Sequence, residues 1–260
     1  MNKLNKISDL QDKHKGEIIF IVGSGPSINN INVELLKNYT VMAVNSGIIA
    51  APFAKYFVSD DPDIMNWSYF SDIKKSECIC LLYEDRFKNK SNFLPENRTF
   101  FYKHKMWFSP PSTYNLPDGL IMTKDITKPI IGSRTSTGSC VHLAFCLGAK
   151  IIVLLGNDCT LSKDKNHYRY FWQNFPKEKQ PYRIRGSQFN KNTQNFGFDQ
   201  KAFVEYWNKF VEANKNILEN EMIIIDSSNS ILSCFPKMSI DSILEKYGNR
   251  KRSDLNDRSA

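Results

Sequence analysis

Five apolar residues, Ile18-Ile19-Phe20-Ile21-Val22, run directly into Gly23-Ser24-Gly25-Pro26-Ser27. A buried strand that empties into a glycine-rich turn and then a helix confines the chain to α/β architectures. Glycines let the backbone turn tightly and approach a ligand closely, and the first N–H groups of a following helix point at an anion. Pro26 suits a first helical turn, and Ser27 suits a cap or a phosphate ligand. Only two glycines are present, so this is not the GxGxxG dinucleotide fingerprint, and no GK[ST] follows as in a Walker loop. The turn predicts a phosphate site of another kind, with an ordinary strand–helix connection as the alternative.

Further strand signals fall at 40–44, 56–59, 78–83, 99–102, 151–155 and 222–225, with helical patterns at 28–38, 64–73, 139–147, 201–216 and 239–247. Strands alternating with helices predict a Rossmann-like α/β fold, a mainly parallel sheet with helices on both faces. Ligands of such sheets sit at the carboxyl ends of the strands. Two segments interrupt the rhythm. The stretch 103–131 carries Pro110, Pro111, Pro117 and Pro129, and reads as a loop or lid arm. The stretch 162–198 is basic and aromatic, with eight Lys/Arg against two acids between Lys163 and Lys191, and reads as a lid loop. The expected organisation is one nucleotide-binding domain over 1–248 with these two insertions, followed by a disordered basic tail at 249–260.

The formal net charge of +8 implies an anionic partner: a nucleotide, a nucleic acid or a membrane surface. No recognised DNA or RNA motif occurs, so nucleic acid is not expected. No apolar run approaches the ~20 residues of a membrane span, and the polar N-terminus lacks a signal-peptide core. The chain therefore reads as cytoplasmic, with room for peripheral contact at the inner membrane face through the basic C-terminus. The six cysteines form no CxxC pair and read as small core residues of a reduced protein.

Polar clusters recur at the predicted strand ends. Asn45, in Asn45-Ser46-Gly47, can hydrogen-bond a ribose or base edge or make an Asx turn. Asp61, in Ser59-Asp60-Asp61-Pro62-Asp63, can bind a ribose or a metal or cap the next helix. Arg134, Thr137, Gly138 and Ser139 lie in a hydroxyl-rich run that opens a helix, a second anion site or a serine-rich cap. Gly156-Asn157-Asp158 follows the strand at 151–155. His167 sits in the polar loop beyond, where a general acid or base needs exposure and a near-neutral pKa. His142 belongs to an apolar helix and reads as a satisfied core residue. Asp226-Ser227-Ser228-Asn229-Ser230 follows the last strand and reads as a turn with a cap.

Taken in order, Gly23–Ser27, Asp61-Pro62 and the span from Thr137-Gly138-Ser139 through Gly156-Asn157-Asp158 to His167 resemble the 6-hydroxymethylpterin diphosphokinase MptE-like family, which includes the motility-accessory-factor glycosyltransferases. The same order resembles the Campylobacter-type bacterial sialyltransferases. There the Gly-Asn-Gly-Pro-Ser turn is similar to Gly23–Ser27, with Ser24 in place of the nucleotide-binding Asn, and the Cys-Asn strand end to Val44-Asn45. The Asn-Pro turn is similar to Asp61-Pro62, Arg-x-Thr-Ser-Gly to Arg134 through Gly138, and Ser-His-Tyr to Asn166-His167-Tyr168. Pro-Asn-Ser-Leu-Leu is similar to Ser228-Asn229-Ser230-Ile231-Leu232. The two tyrosines that hold the departing phosphate have no match soon after Asp158, so Tyr168, Tyr170 or Tyr182 would substitute.

This second resemblance implies a glycosyltransferase of cell-surface glycan biosynthesis that needs no metal and no cofactor. Its donor would be a nucleotide-activated sugar, a CMP-linked sialic or other nonulosonic acid, and its acceptor a glycan or glycoprotein. It implies His167 as general base and Arg134 as the second catalytic residue, one that would pair with a phosphate or carboxylate. Gly23, Ser24, Gly25, Pro26, Ser27, Asn45, Asp61, Thr137, Gly138, Ser139, Asn157, Asp158, Ser228, Asn229 and Ser230 would bind the nucleotide, in a chain that could form a homo-oligomer. The MptE-like resemblance implies instead a diphosphokinase moving pyrophosphate from ATP to a pterin alcohol, with Mg²⁺ on carboxylates such as Asp60, Asp61 and Asp158. A non-catalytic nucleotide-binding module is the third expectation.

Overall fold

The computed structural model describes residues 6–89, 94–105, 120–132, 136–159, 170–184 and 200–248. Seven parallel strands form one sheet in the order β5-β4-β3-β2-β1-β8-β9. They are β1 (Ile18–Val22), β2 (Thr40–Val44), β3 (Tyr56–Ser59), β4 (Ile79–Tyr83), β5 (Thr99–Tyr102), β8 (Ile151–Leu155) and β9 (Ile223–Asp226). Every neighbouring pair is parallel, with Ile19 opposite Thr40 and Ile18 opposite Ile151 across β1. The chain walks outward from β1 to β5, then returns to lay β8 against the other side of β1. The strand order therefore reverses between β1 and β8, and crevices of such sheets open at that switch.

Continuous apolar runs form the inner strands because both faces are covered. Ile19, Ile21, Met42, Val58, Ile152 and Leu154 face one core with α4 (Ser136–Cys146) and α5 (Gln200–Ala213). Phe20, Val22, Val41, Phe57, Val153 and Leu155 face a second core, which α2 (Phe70–Lys75) and α7 (Ile240–Tyr247) join through Ile73 and Ile243. The other helices are α1 (Gly47–Ala50), α3 (Glu84–Phe87) and α6 (Lys215–Asn220). The α/β expectation with helices on both faces therefore holds.

Three local expectations are corrected: the helix expected over 64–73 is a 3-10 helix, Pro62–Asn66, followed by α2. The helix expected over 28–38 is two 3-10 helices, Pro26–Asn30 and Val33–Leu36. Asn29, Asn30 and Asn32 explain the break, since their amides compete with helical hydrogen bonds. The insertion at 103–131 is only in part an arm. His104–Lys105 (β6) pairs in parallel with Ile130–Ile131 (β7). Leu120, Met122 and Ile126 are buried in the first core, and 106–119 lies outside the described residues. The six cysteines are free, four buried and two half-buried.

Every residue of α4 is buried, the polar Ser136, Thr137, Ser139 and His142 included. His142 is its polar strut: Nδ1 accepts from the Ile131 N–H at 2.8 Å, and Nε2 lies 2.9 Å from the Thr123 carbonyl. Burial pushes its pKa down to about 4. The unfolded chain takes up this proton near pH 6.5, so the contribution is complete above that pH and fades as pH falls toward 4. At ~1.4 kcal/mol per unit, the stability advantage of the wild type over His142→Gln should shrink by about 3 kcal/mol between pH 7 and pH 4. Urea unfolding at both pH values checks this. An advantage that holds or grows toward pH 4 would contradict the buried neutral imidazole.

Candidate functional site

The glycine turn is built against the end of β8. Gly23 N–H donates to the Leu155 carbonyl at 2.7 Å and Gly25 N–H to the Gly156 carbonyl at 2.8 Å. A Cβ on Gly23 would stand 2.6 Å from Gly156 O, and one on Gly25 2.6 Å from the Asp158 carboxyl. The glycines thus allow two strand ends to touch. Ser27 donates its N–H to Asp158 Oδ2 at 2.8 Å and its hydroxyl to Oδ1. This corrects the phosphate-cradle expectation for these three N–H groups. Carbonyls already accept from Gly23 and Gly25, and an internal carboxylate holds the anion position at Ser27. Burial raises the Asp158 pKa, and the two Ser27 bonds pull it back.

At the end of β2, Asn45 adopts φ +50°, a left-handed conformation that non-glycine residues adopt at some energetic cost. Trp172 Nε1 donates to Ser46 Oγ at 3.2 Å, Ser46 Oγ to Ser24 Oγ at 2.8 Å, and Ser24 Oγ to the Val44 carbonyl at 3.4 Å. Phe171 N–H donates to Ser24 O at 3.1 Å, and Asn29 Nδ2 to Phe171 O at 3.0 Å. Part of the basic segment therefore docks on the strand ends: within 162–198, residues 170–184 are described. Tyr170 stacks on Trp172 with ring centroids 5.0 Å apart. Tyr182 stands on the far side of the same segment, exposed, with its backbone bonded to Ser68.

At the end of β3, Asp61 accepts the Asp63 N–H at 2.9 Å and caps the 3-10 helix Pro62–Asn66, and burial raises its pKa. The neighbouring Asp60 makes the larger network. Its carboxylate accepts from Ser139 Oγ at 2.8 Å and from the Tyr102 hydroxyl, and its N–H donates to Ser136 Oγ at 3.3 Å. His104 Nε2 lies 3.0 Å from Ser139 Oγ, and burial lowers its pKa. Ser139 is 0% exposed, and its hydroxyl is engaged within the fold. The position of His104 just past β5 was the available signal for this cluster, and the proline content of that stretch obscured it.

On the other side, Asn157 N–H donates to Ser228 Oγ at 2.9 Å, and Ser228 N–H to Asp226 Oδ1 at 2.8 Å. Asp226 also accepts from Ser230 Oγ and from Lys237 Nζ, the latter at 2.9 Å. The loop expected to be a capped turn is therefore a braced loop beside β8, with Asn229 exposed. Asp60, Asp61 and Asp158 each engage different donors. Among the described residues no three His, Cys, Asp or Glu side chains gather as a metal-binding group.

Two buried amide atoms, Asn45 Oδ1 and Asn157 Nδ2, have no hydrogen-bond partner among the described residues. They flank the β1/β8 switch, one an acceptor at the end of β2 and one a donor at the end of β8. The structure thus gathers Gly23–Ser27, Asn45, Asn157, Asp158 and Ser228 at one edge, with Thr137 and Gly138 at the start of α4 and Asp61 beside β3. Arg134, His167 and Tyr168 lie outside the described residues.

No protein-family model matches the chain, so the MptE-like resemblance gains no support there. No curated protein matches either. Among solved structures, the chain is similar to the sialyltransferase CstII from Campylobacter jejuni in complex with the substrate analogue CMP-3FNeuAc, at 15% identity, 86% coverage of both chains and a TM-score of 0.43. It is similar to the same enzyme in complex with cytidine-5'-monophosphate at 16% identity, again 86% of both chains, with a TM-score of 0.41.

Proposed function

We propose that this protein is a glycosyltransferase that takes its sugar from a nucleotide-activated donor, a CMP-linked sialic or other nonulosonic acid, without a metal or cofactor. The observation that carries the reading is the pair of unpartnered amide atoms at the β1/β8 switch. A buried polar atom without a partner costs about 1–3 kcal/mol, and a ligand that satisfies it recovers that cost. Asn45 Oδ1 calls for a donor such as the cytosine amino group or a ribose hydroxyl. Asn157 Nδ2 calls for an acceptor such as a ring carbonyl or a ribose oxygen. With Asp158 in the anion position, the glycine turn suits the nucleoside better than the phosphate.

The phosphate then falls to the start of α4, where Thr137 and Gly138 meet the positive end of the helix dipole, with Arg134 preceding them. His167 takes the proton from the acceptor hydroxyl as the glycosidic bond breaks. Tyr168, Tyr170 or Tyr182 and the basic groups around them stabilise the departing CMP in place of a metal. The acceptor is a glycan or glycoprotein reached from the cytoplasmic side. Among the described residues, no helix is long and apolar enough to cross a membrane.

Ligand-dependent thermal stability tests the reading. CMP at a hundred times its Kd, without Mg²⁺, should stabilise the folded protein by about 2.7 kcal/mol. Asn157→Ala should lose that response, while its ligand-free stability shifts by no more than about 1 kcal/mol. Stabilisation by ATP with Mg²⁺ but not by CMP would overturn the proposal in favour of diphosphokinase chemistry.

A further inference from the structure

The contacts of the Asp60 carboxylate fix where the proton sits on His104. Asp60 accepts from the Tyr102 hydroxyl and, at 2.8 Å, from Ser139 Oγ. A carboxylate only accepts, so the single Ser139 hydroxyl proton points at Asp60. His104 Nε2 lies 3.0 Å from the same Ser139 oxygen. That contact is a hydrogen bond only if Nε2 carries the proton and donates it. Burial lowers the His104 pKa and keeps the ring neutral. A neutral imidazole has one ring proton, so Nδ1 presents a bare lone pair.

Packing holds the ring in this pose. The Tyr83 and Tyr102 rings lie with centroids 5.0 and 6.2 Å from it. A Cβ at position 132 would overlap Nε2, so the glycine there lets His104 reach Ser139. Asp60 N–H also donates to Ser136 Oγ at 3.3 Å. Asp60 therefore clamps Ser136 and Ser139, three apart on one face of the first turn of α4. Thr137 and Gly138, proposed above for the phosphate, lie between the two clamped serines. The proton order of His104 and the start of α4 are thus set by one carboxylate.

An acceptor at Nδ1 does not suit an ionised phosphate, which has no proton to give. It suits a hydroxyl or an amide N–H. We propose that Asp60 and Ser139 are positioning residues that set the proton on His104 Nε2, so that Nδ1 accepts from a hydroxyl or amide N–H of the transferred sugar. The sugar rests on the glycosyl-transfer reading; the proton order rests on the Asp60–Ser139–His104 contacts alone. The side chain is 1% exposed in the ligand-free chain, so the sugar reaches Nδ1 only as the cover over it parts.

Nitrogen-15 NMR of the histidine-labelled full chain at neutral pH tests this, with His104→Gln assigning the signal. The wild type should show a protonated Nε2 and a bare Nδ1. Asp60→Asn replaces an acceptor with a donor: its amide gives to Ser139, Ser139 gives to Nε2, and the proton moves to Nδ1. Ser139→Ala, which cuts the relay, should leave a mixture of both tautomers. Tyr102→Phe removes the other donor to Asp60 and should leave the proton on Nε2, which a merely structural role for the cluster does not predict. A CMP-linked fluorosialic acid, slow to transfer, should shift the Nδ1 signal toward that of a hydrogen-bonded acceptor, and CMP alone should not. A proton on Nδ1 in the wild type, or a tautomer unchanged in both Asp60→Asn and Ser139→Ala, would overturn the proton order. An Nδ1 already hydrogen-bonded without ligand, or unmoved by the fluorosialic donor in a protein that CMP stabilises, would overturn the sugar contact. A protein that CMP fails to stabilise would lose the nucleotide reading and the sugar contact with it, while the proton order stands or falls on the ligand-free spectrum.

Discussion

Turnover of the His167→Ala protein is expected to fall by about 10²–10⁴-fold, the usual contribution of a positioned general base, with CMP stabilisation intact. The measurement is release of CMP from a CMP-linked sialic acid in the presence of lactose, beside a thermal melt with CMP. The other three histidines are buried within the fold. His14 is buried at the amino ends of the strands, with Nδ1 2.6 Å from Glu17 and Nε2 2.8 Å from the Tyr56 hydroxyl. His142 is bonded within the α4 core. His104 joins the Asp60–Ser139 cluster through Nε2; its Nδ1 has no partner among the described residues, and its side chain is 1% exposed. None of these three stands ready to take a proton from an incoming hydroxyl without the fold opening. Loss of CMP stabilisation together with turnover would assign His167 to binding and leave the base unidentified.

Gly47→Ala is expected to destabilise the protein by about 3 kcal/mol, the upper end for overpacking a close contact. At this chain length that corresponds to a fall of roughly 6–12 °C in melting temperature. Helix propensity alone gives the opposite sign, since Gly47 opens α1 and alanine is the better helix former by about 1 kcal/mol. The contact decides. A Cβ at position 47 would lie 2.1 Å from the Val22 carbonyl oxygen and 2.9 Å from that of Gly23, both main-chain atoms that cannot swing aside. Relief requires the ends of β1 and β2 to part, which also moves Ser24 and Asn45. The variant should therefore bind CMP more weakly as well as melt earlier. A Gly47→Ala protein as stable as wild type would show that the β1–β2 junction yields more readily than its packing implies.

The strands were legible because each is a short apolar run bounded by polar or turn residues, and burial on both faces leaves little else for such runs to do. Most of their limits agree with the sequence reading; β4 begins one residue later than expected, and β9 lies one residue further along. The helix after the glycine turn was not legible. Ile28, Val33 and Leu36 have a pattern that suits an α-helix, yet they enter the second core from 3-10 turns. Apolar spacing reports which residues face inward, not which helical hydrogen bonds close between them. The inward face of 120–131 was also missed, because the prolines near it spoke for a loop while Leu120, Ile126 and Ile130 spoke for burial.

The sequence by itself determined the architecture and the edge of the sheet that carries the polar groups. It did so through local patterns: apolar runs, glycine turns, and Asn45, Asp61 and Asn157 at strand ends. Only the tertiary structure decided which groups remain available to a ligand. Asp158, 131 residues from Ser27, takes that serine's two donors, and Asp60 takes the Ser139 hydroxyl from the far side of the sheet edge. Asn45 Oδ1 and Asn157 Nδ2 are left without partners. Hydrogen-bond satisfaction depends on atoms that chain folding brings together across long separations, so no local pattern records it.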